Sequence, residues 1–135
     1  MDKNALRACS SFNPSSMIKT FAGEGDRKFL PLEAGLAWFH HYLMDQNVPG
    51  LIDDSDLDIL QGTPLLIGRA SVYINGELVG KSCSGVAITD TRADLMTIGQ
   101  GVASTAKWRA LENAGFGYED AREKHDILKS QQDME

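Results

Sequence analysis

The chain has 135 residues and a formal net charge of −6 at pH 7, with 42% hydrophobic and 24% charged residues. A chain of this length can bury about two-thirds of its unfolded surface, which is enough for one domain with one core. No apolar run approaches the ~20 residues of a membrane-spanning helix, and the first residues lack the apolar core of a secretory signal. We therefore expect a cytoplasmic protein that does not contact a membrane.

The negative charge argues against nucleic acid as a partner, because phosphate neutralisation dominates that binding. The charge is unevenly distributed, however. Residues 119–135 contribute −3 and four aspartates between positions 53 and 58 contribute −4, so the rest of the chain carries +1. A local basic surface is compatible with that balance. Basic residues scattered through the body include Arg27, Lys28, Arg69, Lys81, Arg92, Lys107 and Arg109.

The N-terminal part of the chain is predicted to be an arm followed by a helix. Residues 1–28 are polar and contain two turn clusters, which indicates a flexible arm. Pro31 then opens a helix at its first position, and Pro49-Gly50 ends it. Its apolar stripe is expected at Leu32, Leu36, Phe39 and Leu43.

Three strands are predicted to follow this helix. A short polar strand is expected over 57–61, after an acidic segment that we interpret as a solvated turn. Asn75-Gly76 is the strongest short-range hairpin signal, and it predicts antiparallel strands over 65–74 and 77–88.

The two-residue turn also predicts the register and the faces of the hairpin. Pairing is expected at Ile74 with Glu77, Val72 with Val79 and Ala70 with Lys81. One face then carries Val72, Ile74 and Val79 toward the core. The other face is mostly small and polar, so it is free to meet solvent or a ligand. Its members are Arg69, Ser71, Tyr73, Leu78, Gly80, Ser82 and Ser84.

A long helix with many small residues is predicted from about 92 to 114. Gly99, Ala103, Ala106 and Ala110 form a narrow stripe that lets a helix lie close to another surface. Gly115-Phe116-Gly117 supplies a stop, with the phenylalanine tucked under the last turn. Residues 118–135 form a charged helix or tail. The expected fold is therefore α+β: a helix, a three-stranded antiparallel sheet with a hairpin, and a long small-residue helix packed on the sheet.

Motifs for catalysis and metal binding are missing from the sequence. His40 and His41 are adjacent on the predicted helix and point about 100° apart, so they cannot chelate one ion together. A calcium loop starting at Asp54 would need glycine at its sixth position and glutamate at its twelfth, where this chain has Ile59 and Leu65. There is no nucleophile elbow or phosphate-binding glycine loop. We therefore expect a protein that is not an enzyme and has no cofactor or metal.

Several short motifs resemble those of a known family. Phe29-Leu30-Pro31 opens the first helix, Trp38-Phe39 lies near its middle, a strand hairpin follows, and Gly115-Phe116-Gly117 closes the long helix. This order over residues 29–117 resembles the phage and bacterial single-strand annealing proteins related to DdrA and the Rad-type annealing recombinases. Further matching positions in the long helix are Ser104, Ala106, Arg109, Ala110 and Leu111.

The resemblance implies a domain over 29–117 that assembles into a ring or filament. It also implies single-stranded DNA held in a positive groove, and strand annealing in recombination or repair without a nucleotide. This chain has Ala103 where the family usually has glutamate, and Trp108 where it has glycine. Its C-terminal segment, residues 119–135, is acidic and not basic. Candidate DNA-binding residues are Arg69, Tyr73, Lys81, Lys107 and Arg109.

Two of these candidates are not expected to share one groove. Lys107 and Arg109 lie two residues apart on a helix and point roughly 200° apart. Arg109 matches the family position, but an arginine that ties the helix to a neighbouring element is an equally good interpretation. Trp108 is more readily explained by packing or by an interface than by base stacking.

Three alternatives from other classes stay open. A double-stranded RNA-binding domain has the same element order, but its last helix usually begins with a lysine-rich clamp that Arg92-Ala93-Asp94 does not provide. A small hotdog-like acyl hydrolase has similar strands, but it requires more of them after the hairpin. A structural or regulatory mobile-element protein could keep the annealing fold without DNA activity.

Overall fold

Three α-helices and two antiparallel sheets are present in the computed structural model, which describes residues 12–21, 23, 25, 27–60, 65–87 and 95–133. The fold class is α+β, as predicted. The sheets are β1 with β2, and β3, β4 and β5 in that order. A 3₁₀ helix at Pro14–Met17 is followed by β1 (Lys19–Thr20), β2 (Lys28–Phe29), α1 (Leu32–Gln46), β3 (Gly50–Leu60), β4 (Leu65–Ile74), β5 (Glu77–Ala87), α2 (Leu95–Ala114) and α3 (Tyr118–Asp133).

Helix α1 starts and stops slightly differently from the prediction. Pro31 is its cap residue rather than its first helical residue, and the helix ends at Gln46. Asn47 follows in the left-handed conformation, with φ of 53°, and closes the last turn by backbone hydrogen bonds. The predicted end at Pro49-Gly50 was therefore late, because asparagine replaces glycine as the stop. The buried residues are Ala34, Gly35, Trp38, Phe39 and Tyr42, whereas the predicted leucines are only half-buried at the margin of the core.

Strand β3 corrects the interpretation of the acidic segment. A strand was expected only over 57–61, after a solvated turn, but β3 runs from Gly50 to Leu60 and includes every aspartate of the segment. The pairing with β4 shifts between Asp53 and Asp56, which marks a bulge. Such a bulge removes the strict two-residue alternation, so the sequence pattern did not reveal the strand.

The hairpin of β4 and β5 has the predicted turn and the predicted pair next to that turn. The pairs farther from the turn differ from the prediction. Asn75 and Gly76 have φ of 54° and 83°, and Ile74 pairs with Glu77. A bulge then shifts the register by one residue on β5. The pairs predicted as Val72 with Val79 and Ala70 with Lys81 are instead Val72 with Gly80, Ser71 with Lys81 and Ala70 with Ser82. Lys81 therefore moves to the face of Arg69 and Tyr73, and Gly80 moves to the helix side.

Helix α2 lies on β4 and β5 through small residues, as predicted. Ala106 and Ala110 are fully buried, as is Val102, while Ala103 is partly exposed. Glycines of the sheet make the close approach feasible. A Cβ added to Gly80 would meet backbone atoms of α2, and one added to Gly68 would meet Val102. The small-residue stripe therefore serves packing against the sheet.

The predicted stop of α2 is confirmed, and it organises the core. Gly115 has φ of 103°, and the Phe116 N–H donates to the Leu111 carbonyl at 2.9 Å, which closes the helix. Phe116 is 1% exposed. Its ring makes edge contacts with three rings of α1, namely those of Trp38, Phe39 and Tyr42. The end of α2 is thereby joined to α1 through aromatic contacts.

Both ends of the chain contain ordered elements within the described residues. The segment 1–28 was predicted to be a flexible arm; its described residues include the 3₁₀ helix and β1, and Phe12 and Ile18 pack against the core. Two-residue strands have no periodicity that a sequence pattern can reveal. The charged C-terminal segment forms the helix α3, and Ala121 of that helix is buried. None of the helices among the described residues is long and apolar enough to span a bilayer.

Candidate nucleic-acid interface

The sheet of β3, β4 and β5 has one face toward α2 and an opposite face, called the open face below. Side chains on the open face form three cross-strand rows: Leu51, Tyr73 and Leu78; Asp53, Ser71 and Lys81; and Asp56, Arg69 and Cys83. The structure thus brings together three of the five predicted residues, Arg69, Tyr73 and Lys81. They line an open depression of about 590 Å³.

Aspartates of β3 counter the positive charge of the open face. Arg69 Nη1 lies 3.4 Å from Asp56 Oδ1, with both side chains largely exposed. Asp53 accepts hydrogen bonds from the Ser55 hydroxyl at 2.6 Å and from the Ser55 N–H at 3.1 Å. These bonds, the hydroxyl first, lower the pKa of Asp53 from its ordinary value, so the carboxylate stays charged further into the acid range. The open face therefore has mixed charge.

Lys107 and Arg109 do not join the open face. Lys107 Nζ lies 2.7 Å from Asp54 Oδ2 on β3, and Arg109 Nη1 donates to the Cys83 carbonyl of β5 at 3.5 Å. Their partners are thus on the two edge strands of the sheet. This divergence agrees with the angle expected from their spacing on a helix. For Arg109, the contact favours the interpretation that it ties α2 to a neighbouring element.

A second side chain of α2 also reaches the edge of β5. Asn113 Nδ2 donates to the Lys81 carbonyl at 2.9 Å, one helical turn after Arg109. Backbone carbonyls of β5 are therefore covered by α2 side chains at Lys81 and Cys83. Covering unpaired backbone groups is one way in which proteins protect an edge strand.

A row of aromatic rings beside the β1–β2 hairpin was not predicted as a site. The rings of Phe21 and Phe29 stack with centroids 4.3 Å apart, and the Arg27 guanidinium lies 5.1 Å from the Phe21 centroid. Phe29 in turn meets the Trp108 ring edge-on at 6.2 Å. The Trp108 indole N–H donates to the Leu30 carbonyl at 2.8 Å. This hydrogen bond joins α2 to the segment that follows the hairpin.

The aromatic row borders a groove between the hairpin and α2, called the hairpin–α2 groove below. The groove has a volume of about 330 Å³. Its lining combines two rings, hydroxyl groups, one cation and one acid: Lys19, Phe29, Pro31, Leu32, Glu33, Ser104, Thr105 and Trp108. Phe21, Phe29 and Trp108 are partly exposed. Apart from Phe29 in the motif that opens the first helix, their only sequence signal was their residue type, because positions 21 and 108 are far apart in the chain.

No sign of a metal centre is found among the described residues, where no group of three or more histidine, cysteine, aspartate or glutamate side chains could hold an ion. The two adjacent histidines are not a pair of ligands: His41 stacks on Phe12 with ring centroids 4.7 Å apart. No protein-family model matches the chain, and no curated protein or solved structure matches it significantly.

Proposed function

We propose that this protein binds single-stranded DNA without sequence preference and promotes the pairing of complementary strands, without a nucleotide and without catalysis. The observation that carries the proposal is the row of partly exposed rings, Phe21, Phe29 and Trp108, next to basic residues of the hairpin. Proteins that hold single strands combine aromatic platforms with cations that follow the backbone. The hairpin supplies Lys19 in the groove and Arg27 beside the Phe21 ring as cations.

The hairpin–α2 groove suits this role better than the open face does. The two linings are equally balanced in charge, with Lys19 and Glu33 in the groove and Arg69, Lys81, Asp53 and Asp56 on the open face, so the aromatic rings distinguish the groove. Base stacking contributes about 1–3 kcal/mol per base, and it tolerates every base because each has a π-face. The aromatic row therefore supports binding without sequence preference.

Annealing also needs several protomers that present strands side by side, and we propose a ring or filament. In the three-stranded sheet, β3 and β5 are the edge strands, each 11 residues long. An unpaired edge is a template for pairing with another chain. Asn113 and Arg109 cover part of the β5 edge, so β3 is the more accessible of the two.

The function is tested by fluorescence anisotropy of a labelled oligothymidylate with the full chain, at low and at moderate salt. We expect Phe21→Leu to weaken binding about tenfold, because the loss of one stacking interaction costs roughly 1.4 kcal/mol of binding free energy. Lys19→Ala should weaken binding and lower the salt dependence by about one counterion. Arg69→Ala is the matched control on the open face, and it should change affinity by less than about twofold.

Two results would contradict this assignment. If Arg69→Ala weakens binding and Phe21→Leu does not, the strand lies on the open face and not along the aromatic row. If the wild-type protein shows no binding even at low salt, the proposed function is wrong.

A structural or regulatory protein of the same fold is the second candidate. It is favoured by the apolar row of Leu51, Tyr73 and Leu78, of which Leu51 and Leu78 are 60% and 50% exposed. Exposed apolar rows of this kind favour contact with another protein chain. This candidate predicts that Leu51→Ser lowers the apparent mass in light scattering while no DNA binding is detected.

A further inference from the structure

The β1–β2 hairpin separates two cavities that lie on its opposite sides. Lys19 pairs with Phe29, and both line the hairpin–α2 groove. Thr20 pairs with Lys28, and both line a different cavity, which α3 closes from the other side. Successive side chains of a strand point to opposite faces, so the two pairs serve different surfaces.

This second cavity, called the hairpin–α3 cavity below, has a volume of about 610 Å³. Small-molecule sites generally have volumes of about 300–1,000 Å³. Its lining combines basic, hydroxyl and aliphatic side chains: Ser15, Ser16, Ile18, Thr20, Lys28, Tyr118, Arg122 and His125. None of these is acidic, although the chain carries a net charge of −6. The cavity therefore differs in charge from the open face.

The side chains of α3 that line the cavity lie on one side of the helix. Tyr118, Arg122 and His125 are spaced four and three residues apart, so they share one side of the helix. The Arg122 Nη2 lies 2.8 Å from Glu119 Oε2, and the arginine side chain is 56% exposed. Because a guanidinium has five N–H donors, one carboxylate leaves donors available for a second anion. Lys28 is exposed on the facing strand.

We propose that the hairpin–α3 cavity binds a phosphate ester. Arg122 and Lys28 supply the charge for the phosphate oxygens, and the hydroxyls of Ser16 and Thr20 supply neutral donors. The Tyr118 ring and Ile18 offer apolar surface for the body of the ligand. Nucleotides combine these properties, either as free nucleoside monophosphates or as units of a bound strand. The proposal goes beyond the annealing function and does not depend on the hairpin–α2 groove.

The test uses calorimetric titration of the full chain with deoxyadenosine monophosphate, with inorganic phosphate and with deoxyadenosine as the control that lacks phosphate. A parallel arm uses an oligothymidylate without terminal phosphates. We expect Lys28→Gln and Arg122→Gln each to weaken phosphate binding about tenfold, which corresponds to roughly 1.4 kcal/mol. Arg69→Gln on the open face and Phe21→Leu in the aromatic row should leave binding of the monophosphate unchanged. Circular dichroism checks that each variant is folded.

The two arms identify the source of the phosphate. If the monophosphate binds and both variants weaken it, the ligand is a free nucleotide. If only oligothymidylate binding is weakened by Lys28→Gln and Arg122→Gln, the cavity holds phosphates of a strand. If neither arm responds to the variants, or if deoxyadenosine binds as well as its monophosphate, the proposal is overturned. Lys28→Gln alone keeps the test decisive if Arg122→Gln does not fold, because Lys28 is exposed on a two-residue strand.

Discussion

Gly80 is the position where one added methyl group should do the most damage to the fold. A Cβ at Gly80 would lie 2.5 Å from the Ala110 carbonyl oxygen, 2.7 Å from the Ala114 nitrogen and 2.8 Å from the Ala114 Cβ. Two of these are backbone atoms of α2, which cannot rotate away as a flexible side chain can. To reach ordinary contact near 3.5 Å, α2 must move from β5 by about 1 Å.

The free-energy cost follows from that displacement. A gap of about 1 Å forfeits roughly a quarter to a half of the dispersion energy at each separated contact. Overpacking typically costs about 1–3 kcal/mol, and we expect Gly80→Ala to lie at the upper end because the helix backbone blocks local relief. At roughly 3–5 °C per kcal/mol for a chain of this length, the melting temperature should fall by about 6–15 °C.

The assay is thermal unfolding followed by circular dichroism, with Gly85→Ala as the matched control on the same strand. Neither glycine has a positive φ, and a Cβ at Gly85 would meet its nearest atom, Leu65 Cδ1, at an ordinary 3.5 Å. Gly85→Ala should therefore leave stability unchanged, or raise it by about 0.4–1 kcal/mol because alanine lowers the conformational entropy of the unfolded chain. Equal melting temperatures for the two variants would refute the close contact of α2 with β5.

Three other measurements address the core, a carboxyl and the assembly. Ala106→Leu should destabilise the protein by about 1–3 kcal/mol in denaturant unfolding, because Ala106 is fully buried between α2 and the sheet; an unchanged midpoint would place it at the surface. Burial raises the pKa of Glu112, although Arg109 opposes the shift. Ionisation of Glu112 above that raised pKa therefore lowers the free energy of unfolding. Glu112→Gln should therefore melt at a higher temperature than the wild type at pH 7, and this difference should vanish as the pH falls below 4.5, the ordinary pKa of a glutamate. A difference that grows in acid would contradict the direction of the pKa shift. Light scattering should give a mass well above the 14.7 kDa of one chain, because β3 leaves an accessible edge; a monomer at every concentration would exclude a ring or filament.

The candidate site was only partly predictable from the sequence. Arg69 and Tyr73 share a face because they are four residues apart on one regular strand, and that alternation is visible in the sequence. Lys81 joins them through the bulge in β5, which shifts the register by one residue. The aromatic row of Phe21, Phe29 and Trp108 joins residues from the hairpin and from α2, and no periodic pattern connects such distant positions.

Local features that depend on neighbouring residues were determined by the sequence itself. The Asn75-Gly76 turn, the small-residue stripe of α2 and its stop at Gly115 follow from backbone preferences and from helical spacing, which act over a few residues. The tertiary structure decided where β3 begins, because its bulged, acidic pattern is stable as a strand only when β4 supplies hydrogen bonds. It also decided where the cations lie. Lys107 forms an ion pair with Asp54 because α2 packs on the sheet, and Lys28 faces α3 because of the pairing in the β1–β2 hairpin. Charge partners are chosen by distance in space, and that distance exists only once the helices have packed on the sheet.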